Sequence, residues 1–316
     1  IFSYDISTAT YATVFSFSTL TGTLPHGNLM QATNGKLYGM TRYGGTSSKG
    51  VIFSFDYSTS TYTELFNFTG IANGERPTGG LIQASNGKLY GGTTIGGASG
   101  DGCIFSFNYT TLVFTKIMDC NSTNGNAIYG TPVIANDGNI YVSTAYSGTL
   151  GGGTIIQVNP ATDTFSKVFN LNSTLHGYSA MGCLFKASNG KLYGTTYGFG
   201  ANGKGTIFNF DVTTNTFTNL RNLEFPDAYN HIYSGFVETA LTITTGSIAD
   251  PICAGTTISV PYTIVGTYGQ SNIFTTQLSD ASGSFSNPVD IGSLLAVGSS
   301  TITATIPINT PPGSGY

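Results

Sequence analysis

A motif of about fifty residues recurs along this chain, and a repeat of that length restricts the available folds more than any other feature. Leu29 to Phe68 reads LMQATNGKLYGMTRYGGTSSKGVIFSFDYSTSTYTELFNF, and related segments begin at Leu81, Val133 and Leu184. Two independent rulers agree on the period. The turn residues Asn34, Asn86, Asp137 and Asn189 are 52, 51 and 52 residues apart, and Ile1, Ile52, Ile104, Ile155 and Ile207 are 51, 52, 51 and 52 apart. Each unit reads as four short strands. A brief apolar strand (LMQA) runs into Asn-Gly, a hairpin signal that predicts a type I′ turn with φ > 0 at both central residues. KLYGMT or its equivalent follows, then a glycine-rich loop such as Tyr43-Gly44-Gly45, then GVIFSFD. An Asp or Asn (Asp5, Asp56, Asn108, Asn159, Asp211) opens the next tight turn, where its side-chain oxygen can accept backbone N–H bonds. The fourth strand runs TYTELFNF, with Leu65, Ile117, Val168 and Leu220 at one recurring position.

No segment keeps a 3.6-residue apolar period, so helix should be scarce. Four short antiparallel strands per unit predict a β-propeller blade; a linear solenoid is the competitor, with rungs usually shorter than these. Residues 1–17 supply strands three and four of a preceding unit, and Tyr233-Ser234-Gly235-Phe236-Val237-Glu238 resembles the opening strand of another. The ring is therefore expected to close as five blades or to be part of a larger one. After Glu238 the texture changes. Alternating segments such as TISVPYTIV (Thr257–Val265), NIFTTQLSD (Asn272–Asp280) and STITATIPI (Ser300–Ile308) are separated by Gly, Pro, Asn and Ser. They predict an immunoglobulin-like β-sandwich, which needs about 100 residues and about seven strands. The predicted organisation is all-β, with a propeller over 1–240 and an incomplete sandwich over 241–316. A chain that opens inside a repeat at Ile1 and stops inside a module at Tyr316 is expected to be a piece of a longer protein.

Charged residues make up only 8% of the chain, against about 25% in ordinary soluble domains. An aromatic content of 13% supplies surface to bury, so the low charge does not mean disorder. Ser, Thr and Asn solvate the remainder, which reads as an extracellular composition. A net charge of −4 and the lack of any Lys/Arg cluster exclude a phosphate-tracking nucleic-acid surface. No apolar run reaches the ~18–20 residues of a bilayer span. Cys103, Cys120, Cys183 and Cys253 show neither CxxC nor zinc-finger spacing. Cys103 and Cys120 fall on neighbouring strands of one unit, which leaves a disulfide and two isolated buried thiols both open.

The units carrying NGKLYGxT, a glycine pair and GxIFSFD resemble the GloVer tandem repeat of secreted bacterial proteins with varied surface anchors, over about residues 1–238. The third unit departs from the motif with DGNIYVST. The segment ISVPYTIVGTYGQSNIFTTQLSDASGSFSNPVDIGSL, followed by ATIPINTPPGSGY, resembles a sandwich module of proteins exported by the type IX secretion system. In that module the chain continues past GSGY with an apolar, Arg-containing strand. The resemblance implies a secreted, cell-surface location and further domains of the same polypeptide, often in adhesins. It brings neither a ligand nor catalytic residues.

Acid–base catalysis needs placed carboxylates or histidines. Asp5, Asp56, Asp137 and Asp211 stand at turn positions, where capping explains them. Glu75, Asp101, Glu224 and Asp227 occur once each in loops. His26, His176 and His231 precede first strands at unequal offsets, so ring symmetry does not build a three-histidine metal site. No phosphate loop, GxSxG or HExxH occurs. The expectation is no catalytic residue, no cofactor and no metal. Binding belongs where the units differ. One ring face gathers the loops between strands two and three and the long connections between blades, and carries Arg42, Tyr43, Glu75, Arg76, Tyr146, Tyr197 and Phe199. The opposite face carries the nearly uniform hairpins. Exposed aromatics with a few polar partners suit stacking on sugar rings or gripping a protein. The leading reading is a noncatalytic display or adhesion module that binds an extracellular glycan or surface protein through that variable face. A structural spacer or self-assembling surface-layer component is the second, and a secreted polysaccharide-acting enzyme using Glu75 and Asp101 the third.

Overall fold

The computed structural model describes residues 1–224, 236, 242–248, 252–265 and 272–313, and the chain divides into two compact units, Ile1–Phe236 and Val237–Tyr316. In the first unit β1 (Phe2–Asp5) and β2 (Thr10–Thr13) pair as an isolated hairpin. Then β3 (Thr23–Pro25) joins the end of β5 in a blade formed by β4 (Met30–Gln31), β5 (Leu37–Tyr43), β6 (Val51–Asp56) and β7 (Thr61–Asn67). The second blade is β8 (Ile82–Gln83), β9 (Leu89–Gly92), β10 (Cys103–Asn108) and β11 (Val113–Asp119). The third is β12 (Val133–Ile134), β13 (Ile140–Ser143), β14 (Gly151–Asn159) and β15 (Thr164–Asn172). One short helix, α1 (Ser173–His176), precedes the fourth blade, β16 (Phe185–Lys186), β17 (Leu192–Thr195), β18 (Thr206–Asp211) and β19 (Thr216–Asn222). Each blade is an antiparallel meander, as the four-strand motif predicts.

The recurring residues have local structural jobs. Leu65, Ile117, Val168 and Leu220 are the extra residues of a β-bulge repeated in every blade: Ile52 pairs with Phe66 and Phe53 with Glu64, which leaves Leu65 unpaired, and the other three blades repeat this shift. The Asp/Asn turns cap as expected. Asp5 Oδ1 accepts from Ser7 N at 2.8 Å, Asp56 Oδ1 from Ser58 N at 3.1 Å and Asp211 Oδ1 from Thr213 N at 3.0 Å. The Asn-Gly hairpins differ from expectation. Among the turn residues only the glycine, Gly35 at φ +82°, is left-handed. Gly35 N donates to Ala32 O at 2.9 Å and Ala32 N to Lys36 O at 3.0 Å. This is a three-residue loop ending in a left-handed glycine rather than a type I′ turn. The asparagine explains the choice: Asn34 Oδ1 accepts from Lys36 N at 3.1 Å while Nδ2 donates to Tyr38 Oη at 2.9 Å. The same Asn–Tyr bond recurs at Asn86–Tyr90 and Asn189–Tyr193. It ties together two letters of the NGKLY motif.

Successive blades pack face to face through aromatic pairs. Phe66 stacks on Phe114 (4.4 Å between centroids), Phe169 on Phe217 (5.1 Å) and Phe15 on Tyr62 (4.3 Å). Between the second and third blades Met118 takes the Phe position, and Ile140, Val142, Ile156 and Val158 fill in around it. At the inner ends glycine allows close approach: a Cβ on Gly79 would lie 2.5 Å from Gly130 O. His26, Thr78, Tyr129 and Met181, equivalent residues of the four blades, line one cavity of about 400 Å³. In a linear stack with sheets about 10 Å apart, the first and fourth units could not share a cavity of that size. The blades are set around an axis, as in a propeller.

The second unit has two small antiparallel sheets. One orders β20 (Thr242–Thr245), β21 (Thr257–Val265) and β24 (Ser300–Thr305); the other pairs β22 (Ile273–Leu278) with β23 (Val289–Leu295). Tyr262 and Ile302 of the first sheet and Phe274 of the second form a buried cluster between them, so it is a two-sheet sandwich. Among the described residues no helix is long and apolar enough to cross a membrane.

Candidate functional site

The inter-blade connection reaches the strand-two end of its own blade at the same place each time. Thr23 pairs with Tyr43, Glu75 with Ile95, Asn126 with Tyr146 and Tyr178 with Gly198. These bridges put the divergent residues of both loops on one face. Two clusters form there from the seven candidates.

The first surrounds Tyr43. The guanidinium carbons of Arg42 and Arg76 lie 5.5 and 5.3 Å from its ring centroid, within the ~6 Å range of cation–π attraction. Arg76 sits in the left-handed region at φ +55°. Glu75 is paired with Lys49, and the Arg76 Nε lies 3.8 Å from the other carboxylate oxygen. Arg42 Nε is buried without a hydrogen-bond acceptor among the described residues.

The second cluster is an aromatic ladder. Tyr129 meets Tyr146 at 6.3 Å, Tyr146 meets Tyr178 at 5.1 Å, and Tyr178 meets the edge of Phe199 at 5.4 Å. Phe199 is 53% exposed and Tyr197, two residues before it, 43%. Phe199 has φ +58°, at the repeat position that Gly44, Gly96 and Ser147 occupy elsewhere, also with positive φ. A large side chain is unfavourable there by about 1 kcal/mol. Tyr129 and Tyr178 were not singled out from the sequence. Aligning the units would have found Tyr178, since it holds the place of Glu75. Tyr129 continues the ladder to the axial cavity, which His26, Thr131, Met181 and Cys183 also line.

The other polar candidates are engaged in structure. Asp101 accepts a long bond from Asn126 Nδ2 (3.5 Å), and Glu224 accepts from Asn202 Nδ2 (2.9 Å). His176 Nδ1 accepts from Asn172 N at 3.0 Å, with its ring against Phe217, and burial pushes its pKa down. Asp227 and His231 lie outside the described residues, as does Tyr233–Glu238 apart from Phe236. Among the described residues no group of three or more His, Cys, Asp or Glu converges as a metal site. Cys103 and Cys120 are both free, buried thiols in this structure. The register sets Asp119, not Cys120, opposite Cys103. Cys103 Sγ instead lies 3.5 Å from Thr93 Oγ1 and donates to Asn73 O at 3.3 Å.

Among solved structures the chain is similar to TolB from Acinetobacter baumannii (12% identity, 72% of this chain and 48% of that one, TM-score 0.41). It therefore spans about half the length of TolB. It is also similar to a protein from Bacteroides uniformis provisionally named a 6-phosphogluconolactonase (17%, 69% and 62%, TM-score 0.45). A protein of unknown function from Dyadobacter fermentans is a third (10%, 75% and 71%, TM-score 0.40). No curated protein matches it in sequence. The model of the Gloeobacter/Verrucomicrobia repeat matches residues 1–142 and 121–241, well over half of the chain, so the chain belongs to the Gloeobacter/Verrucomicrobia repeat family.

Proposed function

We propose that this chain is a noncatalytic display and adhesion module of a secreted cell-surface protein, and that it binds glycan through the variable loop face of its propeller. The observation that supports this reading is Phe199. The left-handed backbone recurs at this place in all four blades, as Gly44, Gly96, Ser147 and Phe199, so the fold imposes it; an exposed aromatic side chain at that strained place is what the fold does not require. Strain of this kind persists where function holds it. Phe199 and Tyr197 are exposed on this face and Tyr178 buttresses Phe199 edge-on, so the Phe199 ring is available to stack on the C–H face of a sugar ring. The charge-poor, hydroxyl-rich composition supports a place outside the cell, and Glu75, neutralised by Lys49, is poorly suited to act as a catalytic acid.

The test is Phe199→Gly. Relief of the left-handed strain, about 1 kcal/mol, offsets the lost ring contact with Tyr178, so thermal stability should stay nearly level. Glycan binding, measured by affinity electrophoresis against a polysaccharide panel, should fall at least severalfold. Undiminished binding would remove the platform from the proposal. A second reading, self-association as a surface-layer component, has one observation in its favour: Leu29 is 39% exposed, whereas its equivalents Leu81 and Leu184 are 2% and 5% exposed. Sedimentation of a dilute stable monomer would count against it.

A further inference from the structure

The variable face has a cationic end that a neutral sugar would leave unused. The chain contains three arginines, Arg42, Arg76 and Arg221, and two of them meet at Tyr43. Lys36, Lys88, Lys116 and Lys191 are each paired with an aspartate, and Lys167 donates to Thr123 O. Arg42 makes no ion pair among the described residues, and its buried Nε–H has no acceptor. Arg76 has only Glu75, at 3.8 Å, and that carboxylate is already held by Lys49. In a protein of net charge −4 this leaves two guanidiniums without a full counter-charge beside one aromatic ring. The planar guanidinium fork matches a carboxylate or sulfate through two parallel hydrogen bonds.

We infer that the ligand is an acidic oligosaccharide, whose uronate or sulfate group sits against Arg42 and Arg76 while its neutral residues stack on exposed aromatics of the same face. This rests on the glycan-binding reading above and narrows it to a substrate class. Tyr43 holds both guanidiniums in place by cation–π attraction and can itself pack against the sugar. Lys49 serves the acidic ligand indirectly, by occupying Glu75. A nucleic acid would need several phosphate contacts along a basic track, whereas Arg42 and Arg76 converge on one ring.

The experiment titrates the full chain with alginate, polygalacturonate and chondroitin sulfate, each beside its methyl-esterified, carboxyl-reduced or desulfated form, and with a single-stranded oligonucleotide. At least one acidic polymer should bind roughly tenfold or more tightly than its neutral form, a ratio in keeping with one charge-assisted bidentate contact. That gap should close in the R42Q/R76Q variant and shrink when salt is raised to about 0.5 M, with the thermal transition unchanged. R42K/R76K, which keeps the charge but loses the fork, should retain only part of the gap. Phe199→Gly should instead weaken acidic and neutral forms by the same factor. If neutral and acidic forms bind alike through Phe199, the acidic assignment is wrong and glycan binding stands. If no polymer binds in either form, both fall. An acidic preference that survives R42Q/R76Q, or equal binding of the oligonucleotide, overturns the inference.

Discussion

Cys103 occupies the position held by Thr154 and Thr206 in the third and fourth blades, and it does a threonine's work. Thr154 Oγ1 bonds to Thr144 Oγ1 at 2.9 Å and donates to Asn124 O at 2.7 Å; Thr206 does the same with Thr196 (3.0 Å) and His176 O (2.9 Å). Cys103, between Thr93 and Asn73 O, is the sulfur version of that relay. Cys103→Thr should therefore be tolerated, whereas Cys103→Ala should cost about 1–2 kcal/mol by orphaning buried groups, as read from urea titration. Burial pushes the Cys103 thiol up to about 11 and the Cys120 thiol higher still. Iodoacetamide at neutral pH should label exposed Cys253 and half-buried Cys183, but not Cys103 or Cys120 until the protein unfolds. Mass spectrometry of the labelled peptides reads this directly. Burial likewise raises the phenols of Tyr62, Tyr90 and Tyr141 above their ordinary 10.0. The unfolded chain then loses these thiol and phenol protons first. Stability should be level below pH 9 and fall as pH climbs through 10, with absorbance at the phenolate band rising together with unfolding. Free titration of all tyrosines in the folded state would contradict it.

At the scale of strands and turns, one contact between blades stands apart from the repeat. Asp163, in the turn after β14, accepts from Tyr90 Oη at 2.6 Å and from Lys88 Nζ at 2.5 Å, both on the second blade. Burial alone would raise its pKa, but the Lys88 ammonium and the Tyr90 hydroxyl outweigh that and hold it below the ordinary 3.8. A depressed carboxylate contributes stability that is present above the unfolded value and lost as pH falls through the folded one. Acid unfolding should thus begin below about pH 4 and start earlier in Asp163→Asn. Asp163→Ala should cost roughly 2–3 kcal/mol, because Lys88 and Tyr90 lose a partly buried charged partner. Asp56→Ala, at an exposed turn cap, should cost less in the same urea series. Equal effects at the two positions would show that this inter-blade tie contributes nothing beyond turn capping.

Over the whole molecule, legibility followed the repeat. Asn34, Ile52 and their copies set the period, and four copies of one strand order outweigh the ambiguity of any single short strand. The hairpin type was missed because it depends on where the Asn34 side chain finds its partner, Tyr38. The ladder through Tyr129 and Tyr178 was missed because its members come from different units and meet only across the face. The same distinction between local and shared structure orders the stability of the first unit. Blades two and three are covered on both sides, by clusters that include Tyr90 with Ile156 and Tyr141 with Phe210. The first blade leaves Leu29 exposed, and β1 and β2 are exposed at every residue. Repeats whose stability is a sum of unit and interface terms lose protection where an interface is missing. Hydrogen exchange in rising denaturant should therefore open β1–β2 first and β9, β10, β13 and β14 last, with β5 and β6 between them. The sandwich, whose buried cluster of Tyr262, Phe274 and Ile302 is much smaller than those between the blades, should exchange early as well. Protection of β1–β2 equal to that of β10 would mean that the blades unfold as one cooperative body, and that the exposure of Leu29 carries no energetic consequence.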